Sequence, residues 1–186
     1  AVLAESAAAG DAPRNLLMRL ADIARRSKDP KAAARAYERL EAALGDDDDD
    51  QMLRGSLLIA RAELLLQAGD WDAAAPLMER AVALRPNDAA VLNFAGYSAL
   101  ERRKNVEQSL ARIEAAWTQE PQSASITDSL GWAYFLTGRI DDAVDLLEKA
   151  QRGEPANAVI VEHLGDAYWQ AGRKFEARYK WRAAAL

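Results

Sequence analysis

LGWAYFLTGRIDDAVDLLEKAQRGEP (residues 130–155) and LGDAYWQAGRKFEARYKWRAAAL (residues 164–186) align without a gap when offset by 34 residues. Leu130 meets Leu164, Gly131 meets Gly165, Tyr134 meets Tyr168, Gly138 meets Gly172 and Ala143 meets Ala177. Leu147 meets Trp181, and Ala150 meets Ala184. An internal period of this length is the mark of a stacked array, because one unit cannot bury its own apolar face. Within a unit, apolar residues recur at helical spacing on both sides of a glycine. The unit is therefore read as two helices, with Gly69, Gly138 and Gly172 at the turns, where a left-handed residue closes the first helix.

The same spacing runs backwards through the chain. Pro86, Pro121 and Pro155 follow the second helix of successive units, and Asp88, Ser123 and Asn157 stand after them as N-caps of the next. One additional residue falls in ERRKNVEQ (residues 101–108), where a turn absorbs an insertion cheaply. Residues 55–86 form another unit, with Gly69, Ala74, Met78 and Ala81 in register. The earliest, RNLLMRLADIARRSKDPKAAARAYERLEAAL (residues 14–44), is degenerate. The expected organisation is a lead or remnant helix over 1–13 and a first unit over 14–54 carrying an acidic loop at 46–50. Further units follow over 55–88, 89–123, 124–157 and 158–186, with no capping helix after the last. Ala74, Ala143, Ala177, Gly96, Gly131 and Gly165 are the small residues expected where the paired helices cross, since larger side chains would overpack the contact.

Half of the 186 residues are apolar and 28% are charged, as in ordinary folded proteins. A net charge of −5 weighs against nucleic acid and against a polybasic grip on anionic lipid. No apolar run reaches the roughly 20 residues that span a bilayer, so no membrane insertion is expected. There is no cysteine, which removes disulfide frameworks, thiolate zinc sites and cysteine nucleophiles. No metalloprotease helix, phosphate loop or nucleophile elbow occurs, and no cofactor, metal or enzymatic activity is expected. His163 is the only histidine, read as a groove or packing residue. Asp46–Asp50 lacks the glycine and the distal glutamate of a calcium loop. It reads as solvated acid, with a contact for a basic partner as the alternative.

The helical pair of 34 residues, with its Leu-Gly, Tyr, Gly, Ala, large apolar, Ala, Pro pattern, resembles the tetratricopeptide repeat over residues 14–186. The resemblance implies an all-α, right-handed solenoid of about five hairpins whose first helices line a concave, protein-binding face. VLNFAGYSAL, ITDSLGWAYFLTGRIDDAV and VEHLGDAYWQAGRKFEARYKW are also similar to the last repeats of proteobacterial tetratricopeptide lipoproteins. Some of these are periplasmic, outer-membrane-tethered adaptors that bring substrates to a processing protease. That likeness implies a bacterial periplasmic setting, with the cytoplasm as the alternative. The lipid-bearing cysteine of the group is absent.

The resemblance places Ser56, Ile59 and Glu63 on the concave face in the second unit, and Asn93, Tyr97 and Leu100 in the third. It places Asp128, Trp132 and Phe135 there in the fourth, and Glu162, Asp166 and Trp169 in the fifth. Met18, Asp22, Arg25 and Arg26 are the equivalents in the first. Such a face would take a polypeptide segment with apolar and basic side chains. Asp128, Glu162 and Asp166 would repel the carboxylate that some family members clamp. Trp132 and Trp169 fit either this groove or packing between repeats. The alternative function is an oligomerisation scaffold joined through Trp181 and Leu186 at a bare apolar end.

Overall fold

A computed structural model describes residues 29–185 together with Met18, Arg19, Asp22, Ile23 and Arg26. The expectations for residues 1–13, Arg25 and Leu186 lie outside the described residues. Those described hold nine helices of four turns or so and no strand: α1 (Pro30–Ala42), α2 (Asp48–Gln67), α3 (Trp71–Leu84), α4 (Ala89–Glu101), α5 (Val106–Gln119), α6 (Ala124–Leu136), α7 (Ile140–Gly153), α8 (Ala158–Gln170) and α9 (Lys174–Ala184). The chain divides into two compact units, Ala1–Pro86 and Asn87–Leu186.

In the first unit, α1 buries Ala33, Ala36, Tyr37 and Leu40 against Leu57 of α2. The hairpin α2–α3 closes on Ala62, Ala74, Met78 and Ala81, none more than 2% exposed. Arg61 pairs with Glu41 and Glu38, and Arg80 reaches Glu41 at 2.8 Å, so one carboxylate ties all three helices. The acidic run differs from the expected loop. Asp47 caps α2 by accepting from the Asp50 amide at 2.8 Å, and Asp48–Asp50 form the first helical turn. Carboxylates are favourable there because the helix N-terminus carries partial positive charge. The Asp50 carboxylate is itself buried and accepts from the Gly45 amide at 2.6 Å. The second hairpin therefore begins at Asp48, earlier than the boundary at residue 55.

The second unit holds three hairpins, α4–α5, α6–α7 and α8–α9, with the first helices α4, α6 and α8 neighbouring one another in that order. One core joins Leu100, Ile113, Leu130 and Ala133, and the next joins Val144, Leu147, Leu164, Ala167, Tyr168 and Ala177. Leu100, expected on the binding face, is 1% exposed and belongs to this core. It packs with Ile113 of its own hairpin and Leu130 of the next, which takes it off the face that Tyr97 borders. The helices cross at the small residues. A Cβ on Gly131 would stand 2.8 Å from Leu147 Cγ, and one on Gly165 would stand 2.6 Å from the Trp181 ring.

Chain direction is set by local chemistry. Asp88 caps α4 through the Val91 amide, Ser123 caps α6 through Ile126, and Asn157 caps α8 through Val159 and Ile160. Gly138 and Gly172 have φ of +85° and +79°, and the next amide in each case returns to a tyrosine carbonyl at 2.8 Å. The α4–α5 turn has no glycine and one residue more. There Arg103 and Asn105 take the left-handed conformation, at φ 53° and 46°.

The register of the hairpins also builds a repeated polar clasp. The Tyr134 hydroxyl donates to Glu114 at 3.1 Å while the Arg139 guanidinium lies 3.6 Å from its ring centre. The Tyr168 hydroxyl donates to Glu148 at 2.8 Å beneath Arg173, 3.9 Å from its ring centre. Each clasp fastens the second helix of one hairpin to the first helix and turn of the next.

Candidate protein-binding face

The exposed side of α4, α6 and α8 carries most of the residues expected to bind. Their helical spacing of three and four keeps each set on one stripe. Trp132 stands at the middle. Its ring stacks on His163 at 4.1 Å between centroids and 11° between planes, and on Phe135 at 4.7 Å and 13°. Its indole N–H donates to Glu101 at 2.8 Å, which ties α6 to the end of α4. Trp132 thus packs between repeats while one part of it remains on the surface.

Below it, His163 Nδ1 lies 3.0 and 3.1 Å from the two Asp128 oxygens. Asp128 is 6% exposed and His163 8%, so this pair is a rivet between α6 and α8 as well as part of the face. Burial, first, and the nearby Glu101 and Asp128 carboxylates hold the Tyr97 hydroxyl well above its ordinary pKa. Tyr97 therefore stays neutral and presents a donor beside two acids.

The remaining residues divide by environment. Glu162 is exposed on α8. Asp166 is half-buried and accepts from the Trp181 indole at 2.9 Å, so its carboxylate is turned into its own hairpin. Trp169 is 37% exposed, 5.4 Å from the Trp181 ring, with the Lys174 ammonium 5.2 Å from its centre. Ile59 is half-buried and Glu63 exposed on α2 of the first unit. In that unit Asp22 pairs with Arg26 at 2.9 Å. Trp181, expected at a bare apolar end, lies at the crossing of the last hairpin. It is half-buried against Gly165 and Trp169 and has its N–H satisfied.

Between α4, α6 and α8 lies an open hollow of about 580 Å³. Phe94, Tyr97, Ile126 and Val159 supply apolar wall, Asp128 and Glu120 supply charge, and no lysine or arginine lines it. The Asn93 amide oxygen at its edge is buried and accepts no hydrogen bond from the described residues. Glu101 and the Asp128–His163 pair were not singled out from sequence as partners. The 35-residue offset between Asp128 and His163, one unit plus the additional step, was the available signal. Among the described residues no group of three or more His, Asp or Glu could hold a metal ion, and no helix is long and apolar enough to cross a membrane.

The array of hairpins and the residues that close it define a class of protein. The tetratricopeptide repeat family matches residues 55–98, 96–158 and 129–186, and the chain belongs to that family. Its fold is all-α, and its class is the protein-interaction scaffold. Among solved structures, the chain is similar to PilW, a widely conserved type IV pilus biogenesis factor, with a TM-score of 0.77 at 19% identity over 92% of this chain and 77% of that one. It is similar to MamA from Desulfovibrio magneticus RS-1, with a TM-score of 0.72 at 19% identity over 92% and 93%. PilF of Pseudomonas aeruginosa gives 0.71 at 17% identity over 92% and 75%. At such identities these likenesses speak for the fold. No curated protein matches the sequence.

Proposed function

We propose that the chain is a non-catalytic adaptor that holds a segment of another polypeptide on the α4–α6–α8 face, and that this segment carries apolar and basic side chains. One observation carries the reading. The hollow joins the apolar walls of Phe94, Tyr97, Ile126 and Val159 to the carboxylates of Asp128 and Glu120, and no cation lines it. A lysine or arginine with an apolar neighbour supplies the opposite charge and N–H donors to those carboxylates. A C-terminal carboxylate would meet acids instead. The setting that follows from the sequence resemblance to proteobacterial tetratricopeptide lipoproteins is the bacterial periplasm, with the cytoplasm as the alternative. Delivery of substrates to a protease is the narrower form of the same role.

The test is fluorescence anisotropy with two labelled peptides, one alternating lysine with leucine and one alternating glutamate with leucine. The lysine peptide should bind, and should weaken with salt. Tyr97→Ala removes an aromatic anchor from the hollow and should weaken it by roughly 2 kcal/mol, about thirtyfold. Glu120→Gln should weaken it as well, with helicity unchanged. Equal affinity for the two peptides would overturn the proposal.

A further inference from the structure

Helix α9 departs from the register of the helices it repeats. Ile140, Val144 and Glu148 of α7 correspond to Lys174, Arg178 and Arg182 of α9, and Asp141 and Asp145 correspond to Phe175 and Tyr179. In α7 the first row faces the following hairpin: Val144 is buried with Leu164 and Tyr168, and Glu148 accepts from the Tyr168 hydroxyl. The second row is exposed and acidic in α7, and its equivalents in α5, Glu107 and Ala111, are exposed too. In α9 both rows change character. The onward row is wholly cationic, and the outward pair is aromatic.

Phe175 is 83% exposed and Tyr179 67%, one turn apart on the helix. Folding of the hairpin does not call for them, because Ala177 and Trp181 already close it from the other side. Arg178 and Arg182 make no ion pair among the described residues. The helix holds four basic residues and one acid, Glu176, which is bound to Arg173 at 3.0 Å. The net charge of −5 conceals this local excess.

We propose that the outward face of α9 docks on an anionic lipid surface. An apolar stripe flanked by a parallel row of Lys and Arg is the pattern of helices that lie in the bilayer interface. Phe and Tyr enter at headgroup depth, while the long cationic side chains reach lipid phosphates with their charged ends. Phe175 and Tyr179 border an open hollow of about 390 Å³ with Tyr168, Glu176 and Lys180, and both rings remain mostly exposed, which suits a deformable surface. The face is separate from the α4–α6–α8 hollow, so the two can be occupied independently.

The test is co-flotation of the chain with vesicles of phosphatidylcholine alone, or of phosphatidylcholine mixed with phosphatidylglycerol. Each cation near an anionic surface contributes about fivefold in binding, so the mixed vesicles should be favoured by at least about tenfold, and salt should erase the preference. Phe175→Ser with Tyr179→Ser should abolish flotation. So should Lys174→Gln with Arg178→Gln and Arg182→Gln, both with unchanged circular dichroism. Tyr97→Ala should float as the parent does. Three results overturn the proposal: equal flotation with both vesicles, flotation that survives both variant sets, or no flotation beside capture by an immobilised glutamate–leucine peptide. The last would assign the face to an acidic protein.

Discussion

Glu148 shows how one side chain serves two hairpins. The Tyr168 hydroxyl, first, and then Arg173 hold its carboxyl below the usual glutamate range, against the opposing effect of burial. Its contribution to stability is thus present above the ordinary glutamate pKa and is lost as pH falls through the lowered folded-state value. Tyr168 runs the other way: burial and Glu148 push its hydroxyl up to about 12. Its contribution is complete below the ordinary tyrosine pKa and is lost as pH rises toward that value. Glu148→Gln should therefore lower the urea midpoint at neutral pH, and the difference from the parent should vanish in acid. A constant difference across the acid range would remove this account. Gly165 is the second residue where a single atom matters. A methyl there meets the Trp181 ring at 2.6 Å. Gly165→Ala should cost about 1–3 kcal/mol in chemical denaturation, with a shift in tryptophan emission.

At the scale of elements, the turns explain why the hairpins differ. Gly138 and Gly172 take positive φ without a Cβ penalty, whereas Arg103 takes it with one. The left-handed conformation costs an ordinary residue roughly 1–2 kcal/mol, partly offset by the greater chain entropy that glycine must lose. Arg103→Gly should accordingly raise the thermal midpoint slightly, and Gly138→Ala should lower it by more. The repeat spacing makes these glycines and the caps Asp88, Ser123 and Asn157 readable in the sequence, because each acts on its own backbone. Asp46–Asp50 differs from a loop for a related reason. Asp46–Asp49 are exposed, as a run of acids suggests, yet Asp47 caps α2 and Asp48–Asp50 form its first turn.

At the largest scale, a repeat protein has a characteristic weakness within each compact unit, since each hairpin there is stabilised by its own interface and those of its neighbours. In the second unit α6–α7 is the middle hairpin, and Leu147 is fully buried at its contact with α8. Leu147→Ala should cost about 2–5 kcal/mol. Hydrogen exchange should then quicken in α6 and α7 and also in α8 and α9. Quickening confined to α7 would mean that the hairpins are not coupled through this core.

Recurrence at 34 residues, small residues at the crossings, turn glycines and caps were all present in the sequence, because they depend on backbone geometry that every unit repeats. Those signals were enough for the fold and for the general role of the family. The makeup of the candidate face was only partly legible. Position on a helix face is periodic, but whether a side chain is spent on its own protein depends on what the neighbouring helix brings. Leu100 went into the core, Asp166 to Trp181, and Asp128 and Trp132 to His163. Those pairings form across 15 to 35 residues of chain, and only three-dimensional packing decides them.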